Sequence, residues 1–115
     1  MSPQIQTANL ASLPIARELG KISLQVADFG TKRAMQVTVH PGGSWSNDLK
    51  PHDGTDSCQK AHFGVVRSGT LAVRMDDGQE VHMKEGDVFS VPPGHDAWCV
   101  GDEAVVFLEF SREGV

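Results

Sequence analysis

The sequence predicts an all-β domain, a sandwich or barrel built from eight or nine short strands. Three observations carry this. From Lys21 onward, apolar and polar residues alternate at period two. Turn signals rich in Gly, Pro and Asp recur at roughly 8–12-residue spacing. No stretch sustains the longer period of an amphipathic helix.

The elements follow in chain order. Residues 1–20 are weakly patterned and form an N-terminal arm, with a short helical turn expected between Asn9 and Leu19 and limited by Pro14. The arm is expected to lie across the barrel or to reach a neighbouring subunit, the alternative being a partly disordered terminus. The domain proper is 21–115. Ile22, Leu24 and Val26 alternate with polar or small residues, and Asp28-Phe29-Gly30 ends that strand. Met35, Val37 and Val39 mark a second strand, closed by Pro41-Gly42-Gly43. Gly42 to Gly54 has no pattern and is a long loop, the kind of segment that carries function. Cys58 to Ser68 reads as one strand, bent near Gln59-Lys60. Leu71, Val73 and Met75 form the next, and Asp76-Asp77-Gly78 supplies the positive φ of a tight hairpin. Gln79–Lys84, Val88–Val91, Asp96–Val100 and Ala104–Phe110 complete the set, with Pro92-Pro93-Gly94 stopping the ladder.

The 115 residues make one domain. A formal net charge of −5 argues against non-specific binding to nucleic acid, which needs a basic face, and against binding to an anionic membrane surface. There is no apolar run of the roughly 18 residues a membrane span requires, and no signal-peptide start. The expected location is the cytoplasm. Cys58 and Cys99 are too few for a disulfide framework and read as free thiols, Cys99 as a small buried apolar residue.

Gly86, Pro92 and Gly94 stand at the spacing of the second cupin motif, which runs Gly, five residues, Pro-x-Gly, two residues, His. Upstream, Gly69 takes the closing glycine of the first motif. The stretch from Met35 to Phe110 therefore resembles a cupin, and Pro-Pro-Gly-His-Asp-Ala-Trp resembles a subgroup of small single-domain bacterial cupins. The resemblance implies a double-stranded β-helix, or jelly-roll barrel, with a pocket near one mouth, and a homodimer. The ligand types are altered. The second motif's histidine position holds Ala97, with His95 two residues earlier. His62 takes the first motif's glutamate position, and Asp56 and Cys58 its two histidine positions.

Residues of one parity in a strand share a face, so His95 is expected to point inward with position 97. Cys58, His62 and His95 are the candidate metal ligands, with Asp56 as a further donor, for a divalent transition ion such as zinc, iron, manganese or nickel. The alternative is a hydrogen-bonded pocket histidine, a small buried cysteine and a turn histidine. Trp45, Gln59 and Trp98 are the candidate small-molecule contacts, with Ser57 beside them. Trp98 also reads as a barrel plug, being opposite in parity to His95. His52 and Asp53 could complete a shell. His82 is expected in solvent and His40 at a strand end. Glu109, in an otherwise apolar strand, is expected at an exposed edge or paired with Arg67 or Arg74. Two functions fit: a small-metabolite or metal-binding cupin, or a metal-dependent oxygenase- or isomerase-type enzyme. Self-association as the main activity is a third. The sequence lacks a hydrolase nucleophile elbow and a phosphate-cradling glycine loop.

Overall fold

The computed structural model describes residues 3–112. Among these residues nine strands form two antiparallel sheets: β1 (Arg17–Leu19), β2 (Ile22–Asp28), β3 (Lys32–Val39), β4 (His62–Ser68), β5 (Thr70–Met75), β6 (Glu80–Lys84), β7 (Val88–Val91), β8 (His95–Cys99) and β9 (Val105–Arg112). One sheet has the order β1-β2-β3-β9-β4-β7, and the other β6-β5-β8. This is the predicted all-β jelly-roll architecture.

The inner face follows the predicted parity. Ile22, Val37, Val39, Val66, Leu71, Val73, Met83, Phe89, Val91, Cys99 and Val105 form one buried cluster between the sheets. Phe89 meets Phe107 edge to face, with ring centroids 5.7 Å apart. The hairpin at Asp76–Gly78 forms as expected: Gly78 has φ +96°, and its N–H donates to the Met75 carbonyl.

Three segments differ from the sequence reading. The large sheet begins at Arg17, inside the span assigned to the arm, because Arg17–Leu19 pairs with Leu24–Ile22. The helical turn expected in the arm is a single 3₁₀ turn at Leu10–Ser12, and Gln25 Nε2 holds the following segment by donating to the Leu13 carbonyl at 2.8 Å. Residues 1–2 of the arm and 113–115 of the domain lie outside the described residues. The long loop contains a π-helical turn, Trp45–Leu49, running into α1 (Lys50–Asp53). Neither is long enough to show periodicity in a sequence. Asp48 staples this segment down, accepting from the backbone N–H groups of Lys21 and Ser44.

The third difference is the proposed strand from Cys58. β4 starts only at His62. Cys58 instead bridges to His95: its N–H donates to the His95 carbonyl at 2.7 Å, and its carbonyl accepts from Gly94 N–H at 2.7 Å. Exposed Gln59 and Lys60 carry the chain from that bridge into β4. No helix among the described residues is long and apolar enough to cross a membrane.

Candidate metal and ligand site

Three elements converge at one end of the space between the sheets. β8 starts with His95, and its inward residues are His95, Ala97 and Cys99, opposite Met75, Val73 and Leu71 of β5. The bridge to His95 sets Cys58 beside it. β4 starts with His62, whose inward parity is shared by Gly64 and Val66. Glu109 of β9 pairs with Gly64, so it is the diagonal same-face neighbour of His62. Gly64 is needed for this close approach. A Cβ there would overlap the Leu108 carbonyl oxygen.

Cys58 Sγ lies 3.6 Å from His62 Nε2, and the His62 and His95 ring centroids are 5.0 Å apart at 73°. The donor atoms of Cys58, His62 and His95 all fall within 4.8 Å of one another. Cys58 and His95 are buried, His95 to 3% exposure, and His62 is half-buried. On the far side of each imidazole sits an acceptor. His62 Nδ1 is 2.5 Å from Glu109 Oε1, and His95 Nδ1 is 2.8 Å from the Pro92 carbonyl oxygen. A carbonyl or carboxylate oxygen accepts, so both Nδ1 atoms carry the proton. The two Nε2 atoms are left as the inward-facing donors, the arrangement outer partners impose on metal-binding histidines.

Burial by itself pushes the Cys58 thiol up, but hydrogen bonds from His62 and His95 outweigh it and bring the thiol down to about 6. Burial likewise pulls His62 down. The hydrogen bonds and charges of Cys58 and Glu109 prevail and raise it to about 9. Without metal, Cys58 and His62 are thus a thiolate–imidazolium pair backed by a carboxylate.

A sulfur and two imidazole nitrogens suit zinc and other borderline transition ions. Tetrahedral bonds of about 2.3 Å to sulfur and 2.0–2.1 Å to nitrogen put those donors roughly 3.6 Å apart. Cys58 and His62 stand at that separation. The residues present fit a metal ion.

The donors open onto a cavity of about 140 Å³, walled by hydrocarbon from Leu24, Val37, Trp45, Leu71, Ala97 and Phe107. Trp45 is buried, and its indole N–H donates to Asp53 Oδ2 at 3.0 Å. Exposed Asp53 and Lys60 stand at the cavity's edge.

The structure brings Cys58, His62, His95 and Trp45 together as candidates. It places others elsewhere. Trp98 does not line the cavity and is not a buried plug. Inward His95 and Ala97 force it outward, opposite Ala72, where it lies half-buried under the Arg74 guanidinium, 5.4 Å from the ring centroid. Gln59 is exposed, and its amide donates to Ser57 Oγ, which itself donates to Asp76. Asp56 and His52 are exposed and do not join the donor cluster. His82 is in solvent, paired with Glu80, as expected.

Glu109 corrects the sequence reading. Arg67 donates to Gln36 and Arg74 pairs with Glu80, while Glu109 faces inward to His62. The signal was its parity. It shares a face with Val105 and Phe107, so a carboxylate there must be buried and must find a donor.

Residues 35–111 match the cupin-domain family. The chain belongs to that family. No curated protein matches it. Among solved structures, a sugar phosphate isomerase of the cupin superfamily from Silicibacter pomeroyi superposes with a TM-score of 0.67 at 18% identity, over 94% of this chain and 76% of that one. A polyketide cyclase from Streptomyces resistomycificus gives 0.69 at 16% identity, over 96% and 82%. The Lactobacillus farciminis oxalate decarboxylase in its formate complex gives 0.65 at 20%, over 91% of this chain and 32% of that one. At these identities the likeness shows the fold.

Proposed function

We propose that this chain is a small single-domain cupin, of the subgroup marked by Pro92-Pro93-Gly94-His95-Asp96-Ala97-Trp98, that holds a divalent transition metal with Cys58, His62 and His95 and takes a small molecule into the adjoining cavity. One observation carries the reading: both imidazoles are oriented by acceptors on their outer side, leaving two Nε2 atoms and a low-lying thiol convergent on one point. Bound metal would act as a Lewis acid toward the ligand. Glu109 would hold the Nδ1 proton of His62, and the apolar walls would exclude water.

A second reading, a metal-dependent enzyme of oxygenase or isomerase type, is favoured by the three-residue donor set. Ala97 contributes no ligand, so an ion held by Cys58, His62 and His95 would have three protein ligands and could take a further one from a bound molecule, as in catalytic rather than structural sites. A homodimer belongs to the same proposal. The sheets end at β6 and β7, where Val81 and Val88 are exposed, and uncovered edges favour pairing with a second copy. A single monomeric species in sedimentation would remove it.

Metal analysis of protein purified without added metal tests the central claim. Stoichiometric metal that is lost in the His62→Ala, His95→Ala double variant supports it. Metal-free protein whose melting temperature is unmoved by zinc, iron, manganese or nickel refutes it, because binding to the native state must stabilise.

A further inference from the structure

We propose that the cavity beside Cys58, His62 and His95 is selective for an uncharged molecule of about one six-membered ring carrying a single polar atom, and excludes carboxylates and phosphates. This rests on the reading of that cavity as the ligand site.

Size sets the first limit. The cavity is about 140 Å³, and a hydrocarbon-lined cavity of about 150 Å³ stays dry and takes benzene. Charge sets the second. Among the described residues, the one lysine or arginine at the cavity is Lys60, exposed at its edge. The other ionisable side chains around it are Cys58, His62, His95, Glu109 and Asp53. His62 is already flanked by Cys58 and Glu109, and the His95 Nδ1–H is committed to Pro92. An entering anion would meet the carboxylates of Glu109 and Asp53; the two positive charges of a bound divalent metal would be matched by the Cys58 thiolate and Glu109, Lys60 is exposed at the edge and away from the hydrocarbon walls, and the anion would lose its hydration to Leu24, Val37, Leu71 and Phe107. Shape sets the third. Buried Trp45, fixed by Asp53, lines the cavity and adds aromatic surface that suits a ring. Cys58, His62, His95 and Glu109 form one cluster, so one polar atom on the ligand can reach it while the remainder contacts hydrocarbon.

The test uses the full chain, both stripped of metal and loaded with zinc, with three probes: phenol, benzoate and glucose 6-phosphate. Melting temperature is read against probe concentration, and zinc stoichiometry is measured on the same samples. Phenol should raise the melting temperature in a saturable manner, and benzoate, the same ring with a charge, should not. Ala97→Phe and Leu49→Trp, which fill the cavity from two different elements, should each abolish the phenol shift. Using two sites guards against one variant failing to fold. The proposal is overturned if phenol gives no saturable shift, if benzoate or glucose 6-phosphate shifts the melting temperature as much, or if the phenol shift survives both variants. Failure of the metal reading is separable. Absent zinc with an intact phenol shift sinks the metal and leaves the cavity's selectivity. Bound zinc with a preference for the anions does the reverse.

Discussion

Replacing Glu109 with glutamine preserves the side chain's shape and the β9 pairing but removes one charge from behind His62. Glu109 Oε1 and His62 Nδ1 are 2.5 Å apart, and both side chains are largely buried, at 13% and 22% exposure. A hydrogen bond to an ionised partner contributes about 1.5–3 kcal/mol, against about 1 kcal/mol for a neutral pair. The difference of roughly 1–2 kcal/mol corresponds to a factor of about 5–30 in an equilibrium constant. It acts on the basicity of Nε2, so zinc affinity, measured by competition with a chromophoric chelator, should fall about tenfold, within the range for losing an outer partner. Metal-free protein gives a second readout. The His62 proton resonance should titrate at about 9 in the parent and move down toward 6.5 in the variant. The folded value of His62 lies above its unfolded value of 6.5, so its stabilisation is complete below pH 6.5 and lost as pH rises through about 9. Glu109→Gln should therefore destabilise the metal-free protein more below pH 6.5 than above pH 9. An unchanged zinc affinity together with an unchanged His62 midpoint, in a variant that unfolds cooperatively, would refute the argument.

Three further outcomes are expected. In metal-free protein, the ultraviolet absorbance of the Cys58 thiolate should appear with a midpoint of about 6, and His62→Ala should move that midpoint up toward 9. The folded Cys58 value lies below the unfolded one, so its stabilisation is present above pH 9 and lost as pH falls through about 6. Phe89→Ala removes a buried ring that packs edge to face on Phe107, and should cost about 3–5 kcal/mol in urea unfolding. A loss below about 1 kcal/mol, the level of an ordinary surface change, would contradict the packing described. Gly64→Ala must push β4 away from the Leu108 carbonyl and with it His62 away from Glu109, so both the melting temperature and the zinc affinity should drop. A variant that melts with the parent would show that the strands do not approach so closely.

Much of the fold is legible in the sequence because its determinants are local. Period-two alternation sets which residues of β2, β3 and β5 face inward, and the pairings observed obey it without a slip in those strands. The Asp76-Asp77-Gly78 turn needs only its own backbone conformation. The loop from Gly42 to Gly54 was less legible. Its two helical turns are held by the Lys21 N–H bond to Asp48 and by the bridge of Ser44 to Trp98, contacts that no local window contains. Trp98 shows parity working and residue type misleading. A tryptophan suggests a pocket wall, but an inward His95 obliges it to face outward.

The sequence by itself determined the container and the three donor types: a jelly-roll frame, with Cys58, His62 and His95 in or near the positions where such a barrel places ligands. Only the tertiary structure decided how they are arranged. Cys58 reaches the histidines through a bridge to His95 and not along β4, and Glu109 arrives from β9, 47 residues away, to orient His62. Strand parity is a property of the local backbone and can be read from one segment. The meeting of Cys58, His62, His95 and Glu109 depends on which strands lie side by side, and that is settled when the two sheets close over one core.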